Sequence, residues 1–269
     1  MKKTPLVLAI SMMVSGSAFA NTFVNGDFEA GNLSGWTGGG GNWSAYGSSG
    51  VPVYVPYTGG ALPTASNYNG GTPNNYTMVA PGTDPYTSLS TVYGGKNSAR
   101  LNDNNNNYSV STLRQSVTNY TDNNIFFAWN AVLESSHGLA DSDYFSLTLR
   151  DDSKGLVLVD RSYSSAGSVG AGTTGVTWTN YGGVWSAGWV VENIDLTTAG
   201  ASGTSIVGDD FTLTMLASDC PYGGHFGYAY LDGFGAAPPT QGGVPEPETL
   251  ALMGLGLLGL GAARRRKAA

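Results

Sequence analysis

The sequence predicts an all-β body folded as a β-sandwich, and three observations carry this. Short runs that are apolar, or that alternate with a period of two, recur along the chain between clusters of turn residues. Long helical periodicity is missing from the stretch between residues 21 and 243. Gly, Asn, Ser, Thr and Tyr dominate, with 40 glycines and 15 tyrosines in 269 residues. The small polar residues supply turns, and tyrosine suits a half-buried pleated surface.

At the N-terminus, Lys2 and Lys3 precede an apolar stretch over residues 5–14, and small residues follow to Ala18-Phe19-Ala20. This basic, apolar, A-x-A order is that of a secretory signal peptide over 1–20, cut after Ala20 by signal peptidase once the Sec translocon has taken the chain across. The apolar stretch is too short to span a bilayer comfortably. The sandwich then occupies 21–237. Strands are expected at 22–28, 98–102, 108–117, 124–133, 144–150, 156–162, 185–194, 211–217 and 227–234. Leu147-Thr148-Leu149-Arg150 shows the period of two, whereas Ile125-Phe126-Phe127-Ala128-Trp129 is apolar throughout and reads as a central strand with Trp129 in the core. Asp151-Asp152-Ser153-Lys154-Gly155 reads as a hairpin turn. Residues 38–95 are rich in Gly, Pro, Tyr and Asn, and Asp84 is their only acid. They read as a loop-rich insertion, the kind of segment on which binding residues sit.

Six of the twelve basic residues lie in the terminal segments, so the body keeps six against seventeen acids, a formal charge of −11. Such a surface repels phosphate backbones and argues against nucleic acid as a partner; divalent cations or neutral sugars suit it better. Cys220 is the one cysteine, so no intrachain disulfide forms and the residue reads as a small core side chain. His137 and His225 are the only histidines, and neither lies in a metal-site or nucleophile–base spacing with Cys220. His225 and Asp219 read instead as partners for buried backbone groups near a strand start. Asp141 with Asp143, Asp209 with Asp210, and Glu134 beside Ser135-Ser136-His137 are the acids a glycosidase would draw on. That chemistry needs two carboxyls facing across a cleft roughly 5–9.5 Å wide, and these read as turn acids. No catalytic residue is expected.

The C-terminal end has three parts in order. Val244-Pro245-Glu246-Pro247 follows a flexible linker at 238–243. An uncharged apolar segment comes next, and Arg264-Arg265-Arg266-Lys267 closes it. The apolar stretch 249–263 would make a helix of roughly 22 Å, short of the roughly 30 Å of a bilayer core. Extending it to 248–263 and letting the arginines snorkel narrows the gap. The basic cluster stays cytoplasmic, which places the body outside.

Residues 244–269 resemble the PEP-CTERM sorting signal of Gram-negative bacteria, with motif, helix and arginine cluster all present. The resemblance implies that a membrane-embedded exosortase recognises the tail and processes it near the motif. It also implies transient residence in the inner membrane, a final place on the cell surface or in the extracellular matrix, and a link to exopolysaccharide or biofilm. Phe23-Val24-Asn25-Gly26-Asp27-Phe28-Glu29 and Leu33-Ser34-Gly35-Trp36 resemble the opening of carbohydrate-binding-module jelly rolls of the galactose-binding-like fold, and Tyr230-Leu231-Asp232-Gly233-Phe234 resembles their closing strand. That likeness makes the sandwich a jelly roll whose first and last strands pair near a structural Ca²⁺, with Asp27, Glu29 and Asp232 as ligands. Ca²⁺ takes six to eight oxygens, so carbonyls or water would complete the shell. For glycan contact, aromatic rings that can stack on sugar faces are the candidates. These are Trp43, Tyr54 and Tyr57 in the insertion, with Trp185 and Trp189, which four residues apart on one strand would face the same way. The expected function is a non-enzymatic surface or matrix protein that binds extracellular polysaccharide; a self-associating matrix protein and a secreted glycoside hydrolase are the alternatives.

Overall fold

The computed structural model describes residues 22–42, 76–135, 142–165, 176–220 and 224–238. The expected signal peptide, transmembrane helix and sorting tail lie outside the described residues, as do Trp43, Tyr54 and Tyr57. The described strands are β1 (Thr37–Asn42), β2 (Tyr76–Val79), β3 (Ser98–Leu101), β4 (Ser109–Val117), β5 (Asn124–Glu134), β6 (Tyr144–Asp151), β7 (Leu156–Ser164), β8 (Thr179–Asn180), β9 (Val184–Ser186), β10 (Val190–Asp195), β11 (Phe211–Ser218) and β12 (Gly227–Gly235). They form two sheets, one in the order β1-β4-β11-β6-β7 and one in the order β2-β3-β12-β5-β9-β8, with β10 also paired to β5. All pairings are antiparallel, and the chain changes sheet at β1–β2, at each step of β3–β4–β5–β6, at β7–β8 and at both steps of β10–β11–β12. The body is a β-sandwich of jelly-roll type. Seven expected strands correspond to β3, β4, β5, β6, β7, β11 and β12, with ends shifted by no more than two residues.

The core lies between the sheets. Alternate residues of β5 (Ile125, Phe127, Trp129, Ala131, Leu133) meet Phe145 and Leu147 of β6 and Leu213 and Met215 of β11. Trp129 is fully buried and stacks on Phe145 at 4.9 Å. Burying rings of this size is the largest favourable term such a sandwich has. The polar corner of Trp129 is also satisfied. Its Nε1 donates to Glu192 Oε1 at 3.0 Å, and Arg161 of β7 donates to both oxygens of the same carboxylate at 2.8 and 3.0 Å. One carboxylate therefore joins the two sheets at their edge.

Three expectations are corrected. Residues 22–28 are a turn, not a strand. Asn25 and Phe28 both take positive φ, and Phe28 N donates to Asn25 O at 3.3 Å. The side chain of Gln115 replaces a partner strand, accepting from Val24 N and donating to Val24 O, each at 2.9 Å. The contact between the chain's opening and its last strand survives in reduced form, with Phe234 N donating to Gly26 O at 2.9 Å; a Cβ on Gly26 would collide with the Phe234 carbonyl. Second, the stretch 38–95 is not loop throughout, since it contains β1 and β2. β1 is Thr-Gly-Gly-Gly-Gly-Asn, which has no side-chain alternation to read; pairing with β4 makes it a strand, and Gly38 leaves room for the ring of Tyr76.

Third, the strand expected at 185–194 is broken. Ser186 sits opposite Val132 and Val190 opposite Trp129, so three residues of this edge face two of β5. One extra residue inverts the side-chain parity. Trp185 consequently turns to the inter-sheet core, and Trp189 turns to the opposite face, beside Tyr228 and Tyr230.

Candidate functional site

The loop at 80–97 lies over the outer face of β12 and is held by three carboxylates. Asp84 Oδ1 accepts from Tyr86 N, Thr87 N and Thr87 Oγ1 at 2.9–3.0 Å. Its Oδ2 accepts from the hydroxyls of Tyr228 and Tyr230 at 2.6 and 2.8 Å. Burial and the Asp84 charge hold both phenols well above their ordinary range. Asp232 Oδ2 accepts from Tyr93 N and Gly94 N at 2.9 and 3.0 Å. Glu29 Oε1 accepts from Lys96 N and Asn97 N at 2.7 and 3.0 Å. Gly95 is required here twice over, because its φ is +64° and a Cβ would collide with the Glu29 carboxylate. Burial pushes the Asp232 carboxyl up to about 7, against the lowering effect of the Gly94 and Tyr93 N–H groups and with a further rise from nearby Glu29.

Sequence reasoning had not singled out Asp84 as a site residue. Its signal was there: it is the lone acid of an otherwise uncharged stretch, followed by Pro85-Tyr86-Thr87, a turn whose N–H groups an aspartate accepts from.

Asp27, Glu29 and Asp232, named from sequence as one group, do meet. They line a cavity of about 470 Å³ together with Phe23, Gly94, Gly95 and Phe234. Asp27 and Glu29 are exposed at its mouth and Asp232 is buried in its wall. Asp27 Oδ1 accepts from Glu29 N at 3.2 Å, so each of the three carboxylates has one oxygen engaged with backbone N–H. Among the described residues no group of three or more His, Cys, Asp or Glu is placed to hold a metal ion. A cation in this cavity would rest on the remaining carboxylate oxygens and on carbonyls.

Across Gly94 and Gly95 lies a second depression of about 350 Å³, lined by Pro81, Ser90, Val92, Tyr93 and Trp189. Trp189 Nε1 donates to Ser90 O at 2.9 Å, and the ring meets Tyr93 edge-on at 5.7 Å. The indole is half-buried, oriented by its own hydrogen bond, and beside an open hollow. Of the aromatic candidates that the described residues include, Trp189 has this setting, whereas Trp185 packs on the core.

The other candidates for chemistry sit elsewhere. Asp219 is sealed at one end of the sandwich. It accepts from Asn102 Nδ2 (2.9 Å), Ser109 N (3.0 Å), Asn107 N (3.2 Å) and Gly227 N (3.4 Å). Burial raises it to about 7, offset in part by the Ser109 and Asn107 donors. Asp143 is buried nearby, accepts from Ser165 Oγ, and burial holds it well above the carboxylate range. Cys220 is fully buried, and its N–H donates to the His225 carbonyl at 3.0 Å. Glu134 Oε2 accepts from Phe226 N at 3.1 Å, Asp209 pairs with Lys154, and Asp210 Oδ1 accepts from Asn119 N at 2.8 Å. These side chains fasten loops and strand ends. Asp141 and His137 lie outside the described residues.

The fold is a β-sandwich of two antiparallel sheets with this rim along one of them. The chain has distant likenesses among solved structures. The module TmCBM61 in complex with β-1,4-galactotriose has 10% identity, covers 80% of this chain and 97% of that one, and gives a TM-score of 0.38. CBM28, a module specific for non-crystalline cellulose, has 12% identity, covers 82% and 95%, and gives 0.34. The family 11 module from Clostridium thermocellum in complex with a β-1,3-1,4-mixed-linked tetrasaccharide has 10% identity, covers 82% and 98%, and gives 0.30. No curated protein sequence matches the chain.

Residues 243–267 match the PEP-CTERM protein-sorting motif, in agreement with the three-part reading of the tail. The motif marks an exported protein that is held transiently in the membrane before release, with an exosortase as its processing partner. Among the described residues no helix is long and apolar enough to cross a membrane.

Proposed function

We propose that the sandwich is a non-catalytic glycan-binding module, exported through the Sec translocon, freed of its leader by signal peptidase, and sorted by its tail to exopolysaccharide or biofilm matrix. The observation that supports it most is the Trp189–Tyr93 hollow. An indole held by its hydrogen bond to Ser90 O and half-buried beside an open hollow offers a stacking surface for a pyranose ring. The carboxylates described above are occupied as loop anchors, which favours binding over turnover. The test is retention of the exported protein on a panel of polysaccharides, with Trp189→Ala beside it. Retention by at least one polysaccharide, reduced about tenfold in the variant, is the expected result, the size of one lost stacking contact. No retention on any, by a folded protein, would sink the reading.

A self-associating matrix role has one observation in its favour: Val157 on β7 and Val191 on β10 are exposed large apolar residues on strands with an open edge. Concentration-dependent light scattering without sugar would favour it. Calcium at Asp27, Glu29 and Asp232 also stays a proposal. It rests on their meeting at one cavity and calls for a higher melting temperature in Ca²⁺ than in EDTA.

A further inference from the structure

β6 ends at Asp151, opposite Phe211 of β11. Asp151 has the strand parity of Leu147 and Leu149, so its side chain points between the sheets, and the residue is fully buried. One of its carboxyl oxygens is accounted for: Oδ1 accepts from Lys154 N at 3.0 Å, which closes the β6–β7 hairpin. Oδ2 is buried, and no donor among the described residues reaches it. What lies within hydrogen-bonding reach of the Asp151 carboxyl is a second carboxyl, that of Asp209, from the segment entering β11. Asp209 Oδ2 is paired with Lys154 Nζ. Lys154 therefore holds both acids, one through its backbone N–H and one through its ammonium.

Two ionised carboxylates in contact repel, and neither has a proton to donate. The remaining charged groups at this corner have partners of their own. Arg150 pairs with Asp152 at 3.4 Å, Asp152 Oδ2 accepts from Thr212 Oγ1, and Asp210 Oδ1 accepts from Asn119 N. One ammonium thus faces two acids, and one proton completes the count. With Asp151 protonated on Oδ2, its O–H donates to Asp209, the orphaned oxygen gains a partner, and the Asp151–Asp209–Lys154 group is neutral. We propose that Asp151 and Asp209 share a proton that ties the β6–β7 hairpin to the segment entering β11, a clamp that closes in acid and loosens in alkali. Burial first, and then the neighbouring Asp209 carboxyl, raise the Asp151 carboxyl above its ordinary range, against the lowering effect of the Lys154 N–H. A raised carboxyl contributes stability that is fully present below the unfolded value of about 4 and is lost as pH rises through the folded value.

The test is Asp151→Asn in the processed, exported protein in EDTA. The amide keeps the oxygen that accepts from Lys154 N and sets an N–H where the shared proton lies, so the clamp stays closed at every pH. Asp143, Asp219 and Asp232 titrate in both proteins, so the difference between variant and wild type isolates this pair. Melting temperatures should nearly coincide at about pH 4, and the variant should be the higher by about 3 °C or more at about pH 8, the size of a one-unit shift in a protein of this length. Asp160→Asn, the same charge change at an exposed position on β7, should give no such gain. A loss of stability in Asp151→Asn at both pH values, or an equal gain in the two variants, would overturn the shared proton. The side-chain carboxyl ¹³C shifts of the wild-type protein read the same proton without any variant: Asp151 should titrate above the ordinary aspartate range, and titration within that range would overturn the proposal. A rise in melting temperature with Ca²⁺ that Asp151→Asn abolishes would give the pair to a metal and overturn it as well.

Discussion

Asp219 and Asp232 are the same residue type, both buried, and burial pushes both to about 7, yet they do different work. Asp219 collects donors from the 102–109 segment and from β12 in a sealed end of the sandwich. Asp232 takes two N–H groups with one oxygen and backs onto an open cavity with exposed Asp27 and Glu29 before it. A shifted carboxyl alone therefore does not mark a site. What separates the two is whether solvent, and hence a ligand, reaches the neighbourhood.

The comparison breaks most visibly in stability. Asp219→Ala should cost about 3 kcal/mol, because the buried N–H groups of Ser109 and Gly227 and the buried amide of Asn102 lose their acceptor and water cannot replace it. Asp232→Ala should cost about 1–2 kcal/mol, since Tyr93 and Gly94 lie on a rim that water reaches. Denaturant unfolding measures both, and equal costs would erase the distinction. Next comes pH. Asp143, Asp219 and Asp232 all have carboxyls raised in the folded state, so the folded protein holds protons that the unfolded chain releases. Their contribution is fully present below the unfolded value of about 4, and that of Asp219 and Asp232 is lost as pH rises through about 7. The melting temperature should thus be higher at about pH 5 than at about pH 8, and Asp219→Asn should flatten that slope whereas the exposed Asp160→Asn should not. A melting temperature that rises over this range would contradict the assignment. The smallest effect is expected of Trp189→Ala, below about 1 kcal/mol by thermal unfolding, because the ring is half-buried outside the main core. A cost comparable to that of a buried core tryptophan would make Trp189 structural and weaken its role as a stacking surface.

Much of the fold was legible because alternation is a local signal. β4, β5, β6, β7, β11 and β12 each carry enough apolar residues on one face to be read without knowing their partners. β1 was not legible, since four consecutive glycines carry no pattern and only β4 beside them makes them a strand. The turn at 22–28 looked like a strand because Phe23, Val24 and Phe28 favour one, but Asn25 and Phe28 at positive φ bend it. The site was half legible. Asp27, Glu29 and Asp232 were named together, through a resemblance rather than through spacing. Trp189 was named for the wrong orientation, because a one-residue bulge has no signature in the order of residues.

Composition and order alone determined the all-β class, the acidic exported body and the sorting tail, which are properties of contiguous segments. Tertiary structure decided which acids anchor a loop, which one is sealed and which ring faces the solvent. Those outcomes rest on hydrogen bonds between residues 68 apart, as for Glu29 with Asn97, or 139 apart, as for Asp232 with Tyr93. A strand's hydrophobic period is set by its own side chains, whereas the partner of a buried carboxylate is set by whichever backbone N–H the packing of two sheets brings within about 3 Å of it.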